Sequence, residues 1–135
     1  MGNPVRPRVL VVDDDEDLTA AMARLLRGCE VTCERDPVPA LARLEAGQRY
    51  DAVLLDQTMP NMTGSELYRK LLASSPLQAE RVAFVTGGSL EGDLKFLRDL
   101  GRPVLAKPFE VAALRELVSC IAEGGTCTSA SPAST

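Results

Sequence analysis

Val9-Leu10-Val11-Val12-Asp13-Asp14-Asp15 is the stretch that decides the fold. Four apolar residues with no polar break read as a strand covered on both faces, because a half-exposed strand would alternate. The pattern recurs at Ala52-Val53-Leu54-Leu55, Val82-Ala83-Phe84-Val85 and Val104-Leu105-Ala106, with a weaker strand over 30–34. Helical spacing fills the intervals. Leu18, Met22, Leu25 and Leu26 share one face, and Gly28 supplies a stop. Asp36 before Pro37 reads as an N-cap opening a helix that buries Leu41 and Leu44. Thr63-Gly64-Ser65-Glu66 has capping-box form, with Leu67, Leu71 and Leu72 on one face behind it. Ser89 is expected to cap a helix carrying Leu90, Leu94 and Leu97, ended by Gly101 and Pro103. The last helix carries Leu114, Leu117, Val118 and Ile121 and ends at Gly124-Gly125. Five strand–helix units predict an α/β fold, a parallel sheet with helices on both faces. Ligands of such sheets bind outside the carboxyl ends of the strands.

Composition removes other classes. The 135 residues are one domain's worth, and 45% hydrophobic with 25% charged residues is ordinary for a globular chain. A net charge of −4, 4% aromatic residues and no Trp argue against nucleic acid as a partner. No apolar run has the length of a membrane span, and Met1-Gly2-Asn3-Pro4 does not begin a signal peptide, so no membrane is expected and the location is read as cytoplasmic. Cys29, Cys33, Cys120 and Cys127 form no C-x-x-C pair, and histidine is absent, which argues against zinc. The cysteines are read as reduced thiols. Residues 1–7 are taken as an N-terminal extension, 8–123 as the folded domain and 124–135 as a disordered tail.

The strand ends carry the chemistry. The first runs into Asp13-Asp14-Asp15-Glu16-Asp17, the third ends in Asp56, the fourth in Thr86 and the fifth in Lys107-Pro108. Each has a purely structural explanation: acids offsetting a helix dipole, a loop acid, a strand threonine, a solvated lysine. Together they place three carboxylates and a lysine on one rim. Close carboxylates stay ionised only with a cation among them, and oxygen donors without His or Cys select a hard ion, by default Mg²⁺. A lysine and a hydroxyl opposite suit the outer oxygens of a phosphoryl group, with Asp56 as the nucleophile.

These residues, with Met59-Pro60-Asn61-Met62-Thr63-Gly64, Phe84-Val85-Thr86 and Lys107-Pro108-Phe109, resemble the receiver domain of two-component response regulators over about residues 8–123. The resemblance implies a flavodoxin-like doubly wound (βα)5 fold with strand order 2-1-3-4-5. It makes Asp56 the phosphoacceptor, Thr86 the switch hydroxyl and Lys107 its partner. Asp14 then ligates Mg²⁺ directly and Asp13 through water, while Asp56 and the backbone carbonyl of Thr58 complete the protein's share of the shell. It also implies a cis Lys107–Pro108 peptide.

The implied partners are a sensor histidine kinase or phosphotransfer protein and an unknown downstream protein, with the chain a monomer or weak homodimer. It would be no enzyme beyond its own phosphorylation and dephosphorylation. A chain this short is expected to signal through protein contacts, on the face of the fourth helix, fifth strand and fifth helix.

Two features depart from the family pattern. Val104 occupies the position of the signalling aromatic, and Gly87-Gly88 follows the switch threonine. Both resemble receivers fused to hybrid histidine kinases. Two alternatives stand beside this reading. One is a degenerate receiver that binds partners without phosphorylation. The other is a haloacid-dehalogenase-type phosphatase using Asp13-x-Asp15, against which Asp17 stands where that family wants Thr or Val.

Overall fold

The computed structural model of the chain describes residues 6–87 and 91–124. Five strands, β1 (Arg8–Val12), β2 (Glu30–Glu34), β3 (Ala52–Leu55), β4 (Val82–Thr86) and β5 (Val104–Ala106), form one sheet in the order β2-β1-β3-β4-β5. Every pairing is parallel, with Val12 opposite Leu55 and Leu55 opposite Phe84. Among the described residues six helices accompany them: α1 (Glu16–Leu25), α2 (Pro37–Glu45), α3 (Gly64–Ser74), α4 (Pro76–Ala79), α5 (Glu91–Arg98) and α6 (Val111–Ala122). This is the expected flavodoxin-like arrangement. Among the described residues no helix is long and apolar enough to cross a membrane.

The unbroken apolar runs are explained by two cores, one on each side of the sheet. Leu10, Val12, Val53, Leu55, Val82 and Phe84 point to one side, against side chains of α2, α3 and α5. Val9, Val11, Ala52, Leu54, Ala83 and Val85 point to the other, against α1 and α6. Successive side chains alternate between faces, so a strand covered on both must be apolar at every position. The edge strand β2 is half exposed, which accounts for its weaker signal.

Local signals operate as expected at several helix starts. Asp36 accepts the Val38 N–H with Pro37 in the first turn, and Thr63 and Glu66 form a reciprocal capping box. Three details differ from the sequence reading, and the amino-terminal extension has contacts of its own. Leu67 and Leu71 are fully buried, but Leu72 is 46% exposed, because its step around the helix carries it past the core face that Tyr68 occupies. The break at Ser75-Pro76 opens a further short helix, α4, since proline suits a first helical turn. Cys29 and Cys33 are free thiols as expected, but Cys120 is disulfide-bonded, because spacing along the chain does not show which thiols the fold brings together. Arg6 and Pro7, assigned to an extension, are tied down: Arg6 Nη2 donates to the Cys29 carbonyl at 2.8 Å and Pro7 O accepts from Glu30 N at 2.8 Å. The expected cap at Ser89, Leu90 and the tail from 125 onward lie outside the described residues.

The amino-terminal edge of the sheet is closed by side chains that satisfy backbone groups. Arg81 Nη1 donates to the Ile121 and Ala122 carbonyls at 2.7 and 3.0 Å, where α6 runs out of intrahelical donors. Gln78, 7% exposed, accepts from Tyr50 N and donates to Tyr50 O, both at 2.9 Å, standing in for a strand neighbour at a buried residue. Replacing it by alanine strands both backbone groups. Gln78→Ala is expected to lower unfolding free energy by about 2–4 kcal/mol, measured by urea denaturation.

Candidate functional site

Parallel pairing does not stop where the strands end. Asp13 N donates to Glu34 O at 3.1 Å, Asp56 N to Val12 O at 3.0 Å and Lys107 N to Thr86 O at 2.9 Å. The backbone of each residue that follows a strand is thus held by the neighbouring strand, and its side chain emerges from a fixed point on the rim. Asp13, Asp56 and Thr86 are 3%, 7% and 2% exposed.

The acidic run divides into separate roles. Asp15 is the N-cap of α1, accepting the Leu18 N–H at 3.1 Å, and Glu16 and Asp17 occupy the first turn, so the structural explanation holds for these three. Asp13 turns inward instead. Its Oδ1 accepts the Asp15 N–H at 2.9 Å and its Oδ2 takes the Lys107 ammonium at 2.7 Å. Asp14 is exposed, yet one carboxylate oxygen from each of Asp13, Asp14 and Asp56 falls within 4.8 Å of the others. Lys107 Nζ also stands 3.7 Å from Asp56 Oδ1. Three carboxylates therefore face one ammonium.

That imbalance is visible at Asp56. Burial and then the nearby Asp13 charge push its carboxyl above the ordinary 3.8; the Lys107 charge, a Thr86 hydroxyl hydrogen bond and the Gln57 backbone N–H act in the opposite direction. All five chemical side chains named from sequence thus meet at one rim. The peptide between Lys107 and Pro108 is cis. Thr58 is exposed in the loop after β3, and its carbonyl accepts no hydrogen bond among the described residues.

The donor set fits a hard divalent cation. It offers only oxygens, its excess charge is negative, and Asp13 is already engaged through both oxygens, leaving Asp14 and Asp56 the freer donors. Sequence reasoning missed Gln57 and Ser65, which join the loop after β3 to the start of α3: Ser65 N donates to Gln57 Oε1 at 2.7 Å and Gln57 Nε2 to Ser65 Oγ at 3.0 Å. Two residues eight apart across a loop share no periodic signature. The glycine between them did carry a signal. A Cβ on Gly64 would collide with the Asp56 carbonyl oxygen, so only glycine allows this approach.

Comparison with known proteins places this geometry. A family model for the response regulator receiver domain matches residues 9–119. The chain is similar to Hybrid signal transduction histidine kinase L of Dictyostelium discoideum, 30% identical over 132 residues, which is 92% of this chain and 8% of that protein. It is 35% identical over 129 residues to Transcriptional regulatory protein PrrA of Mycobacterium tuberculosis, covering 93% of this chain and 54% of PrrA. It thus matches only a part of each relative. Among solved structures, the receiver domain of sensor histidine kinase PA1611 from Pseudomonas aeruginosa PAO1, with a magnesium ion coordinated in its active site cleft, superposes with a TM-score of 0.76 at 28% identity. That match covers 88% of this chain and 99% of the other.

The raised Asp56 carboxyl has a consequence for stability. A folded-state value above the unfolded one means that the ionised group opposes folding at neutral pH, and the opposition fades as pH falls through the raised value toward 3.8. Asp56→Asn is therefore expected to melt at a higher temperature than the parent at pH 7 without divalent metal. The gap should narrow on acidification, as thermal unfolding at several pH values would record.

Proposed function

The chain belongs to the response regulator receiver domain family, and on that premise we propose that Asp56 takes a phosphoryl group from the phosphohistidine of a sensor histidine kinase or phosphotransfer protein. The observation that carries this reading is the convergence of the Asp13, Asp14 and Asp56 carboxylates within 4.8 Å, beside a lysine 2.7 Å from Asp13. An Asp56 oxygen attacks phosphorus in line, the P–O bond forms as the P–N bond breaks, and the departing imidazole keeps the electron pair. Mg²⁺, held by Asp14, Asp56 and the Thr58 carbonyl with Asp13 acting through water, supplies charge neutralisation when bound.

Lys107 and Thr86 provide the remaining stabilisation. Lys107 leaves Asp56 for the phosphoryl oxygens, a point charge within reach of both partners. The Thr86 hydroxyl, which acts to lower the Asp56 carboxyl pKa, turns to the same oxygens. The chain's enzymatic role ends with its own phosphorylation and the slow hydrolysis of the acyl phosphate.

Output follows through protein contacts in the cytoplasm, with the chain acting as a monomer or weak homodimer. The surface proposed for those contacts is that of α5, β5 and α6, where Phe96 and Val111 are 42% and 36% exposed. Val104, 2% exposed and packed in the core, has no ring to rotate outward, so the switch runs through Thr86 and the following segment alone. The degenerate reading loses ground to the ionisable groups gathered at the rim. The phosphatase reading makes Asp13 the nucleophile, although both oxygens of that carboxylate are engaged.

Incubation with Mg²⁺ and acetyl phosphate is expected to add the mass of one phosphoryl group to the intact parent chain and none to Asp56→Asn. Labelling of the variant, or no labelling of the parent beside a receiver that is labelled, would sink the proposal.

A further inference from the structure

The geometry points to Gln57 and Ser65 as a positioning pair that fixes the loop carrying Thr58. This inference deepens the proposed function and rests on it, since the Thr58 carbonyl matters only as a metal donor.

Four contacts gather at the neck of this loop. The Gln57 side chain makes two hydrogen bonds to Ser65, at 2.7 and 3.0 Å. The Gln57 backbone carbonyl accepts the Gly64 N–H at 3.0 Å. Gly64 packs directly on the Asp56 backbone, where a side chain would not fit. Ser65 Oγ lies 3.2 Å from Thr63 Oγ1, which itself accepts the Glu66 N–H at 3.1 Å, so the clamp runs into the capping box of α3. Ser65 is 4% exposed, and its hydrogen bonds to Gln57 are shielded from competing water.

The clamp leaves Thr58 between two fixed points. Gln57 is pinned by backbone and side chain, and Met59, on the other side, is 8% exposed in the core. Among the described residues nothing donates to the Thr58 carbonyl, so its orientation comes from these neighbours. The capping box serves Thr63 N and Glu66 N, and Gln57 Oε1 serves Ser65 N, a further first-turn donor of α3. The Gln57 Nε2 bond to Ser65 Oγ serves no backbone donor of the helix, and with the first it holds the residue directly after Asp56. Groups that orient metal ligands from outside the ligand shell commonly change affinity about 10–100-fold when removed.

The test uses Gln57→Leu, which keeps the side-chain bulk, and Ser65→Ala, which keeps the Ser65 N–H bond to Gln57 and loses the other. Isothermal titration with Mg²⁺ is run on both and on the parent, with thermal unfolding in metal-free buffer alongside. The expected result is a Mg²⁺ Kd raised about tenfold in Gln57→Leu and less in Ser65→Ala. Phosphorylation by acetyl phosphate should recover toward the parent rate once Mg²⁺ is saturating. A lowered melting temperature with unchanged Mg²⁺ Kd in either folded variant would mean a purely structural clamp and overturn the inference. A parent that binds no Mg²⁺ would instead overturn the metal part of the proposed function, and this inference with it.

Discussion

Two carboxylates that should repel each other, Asp13 and Asp56, are buried at the ends of adjacent strands, and the rest of the site is arranged around that constraint. Burying a charge is costly unless it is paired. Asp13 meets the cost fully, through Lys107 and the Asp15 N–H. Asp56 meets it only in part, and its carboxyl is pushed upward as a result. The lysine cannot serve both equally: it is 2.7 Å from one and 3.7 Å from the other. Asp56 is left as the least satisfied group at the rim. An unsatisfied buried carboxylate gains most from an arriving cation and from conversion to a mixed anhydride, which moves its negative charge outward onto phosphoryl oxygens.

The same sheet explains why this tension does not deform the site. Hydrogen bonds continue one residue past the strands and hold Asp13, Asp56 and Lys107 by their backbones. At the opposite edge, Arg81, Arg102 and Gln78 donate to backbone carbonyls; Arg102 reaches Val82 O at 2.8 Å and Glu80 O at 2.6 Å. Polar groups at one end of the strands are saturated, while those at the other are held short of satisfaction. Stability and reactivity are therefore drawn from opposite edges of one sheet.

What was legible in the sequence follows from this division. Strands covered on both faces announce themselves, because no position tolerates a polar residue, and the first polar side chain after each run is then a rim residue. Asp13, Asp56, Thr86 and Lys107 were found in this way, although Asp15, two residues from Asp13, proved to be an N-cap. Which acid of a run turns inward depends on backbone direction at the strand end, and composition does not encode it. Leu72 was misplaced because several leucines within one helical turn do not say which of them faces the sheet. The Gln57–Ser65 pair was invisible for another reason: it joins a loop residue to the first turn of α3, a proximity that exists only after the loop has closed.

Loop closure also bears on how a signal leaves the site without an aromatic switch. The segment after β3 is clamped through Gln57, Gly64 and Ser65, and β5 is locked by the buried Val104. Asp56 is thus flanked by one rigid segment on the α3 side. β4 ends at Thr86, and at the following Gly87 the nearest atoms to an added Cβ are Lys107 side-chain carbons at 3.8 Å. There is room here, and none at Gly64. On the proposed reading, a displacement that starts at Asp56 meets tightly packed backbone at Gly64 on the α3 side and open space at Gly87 on the other.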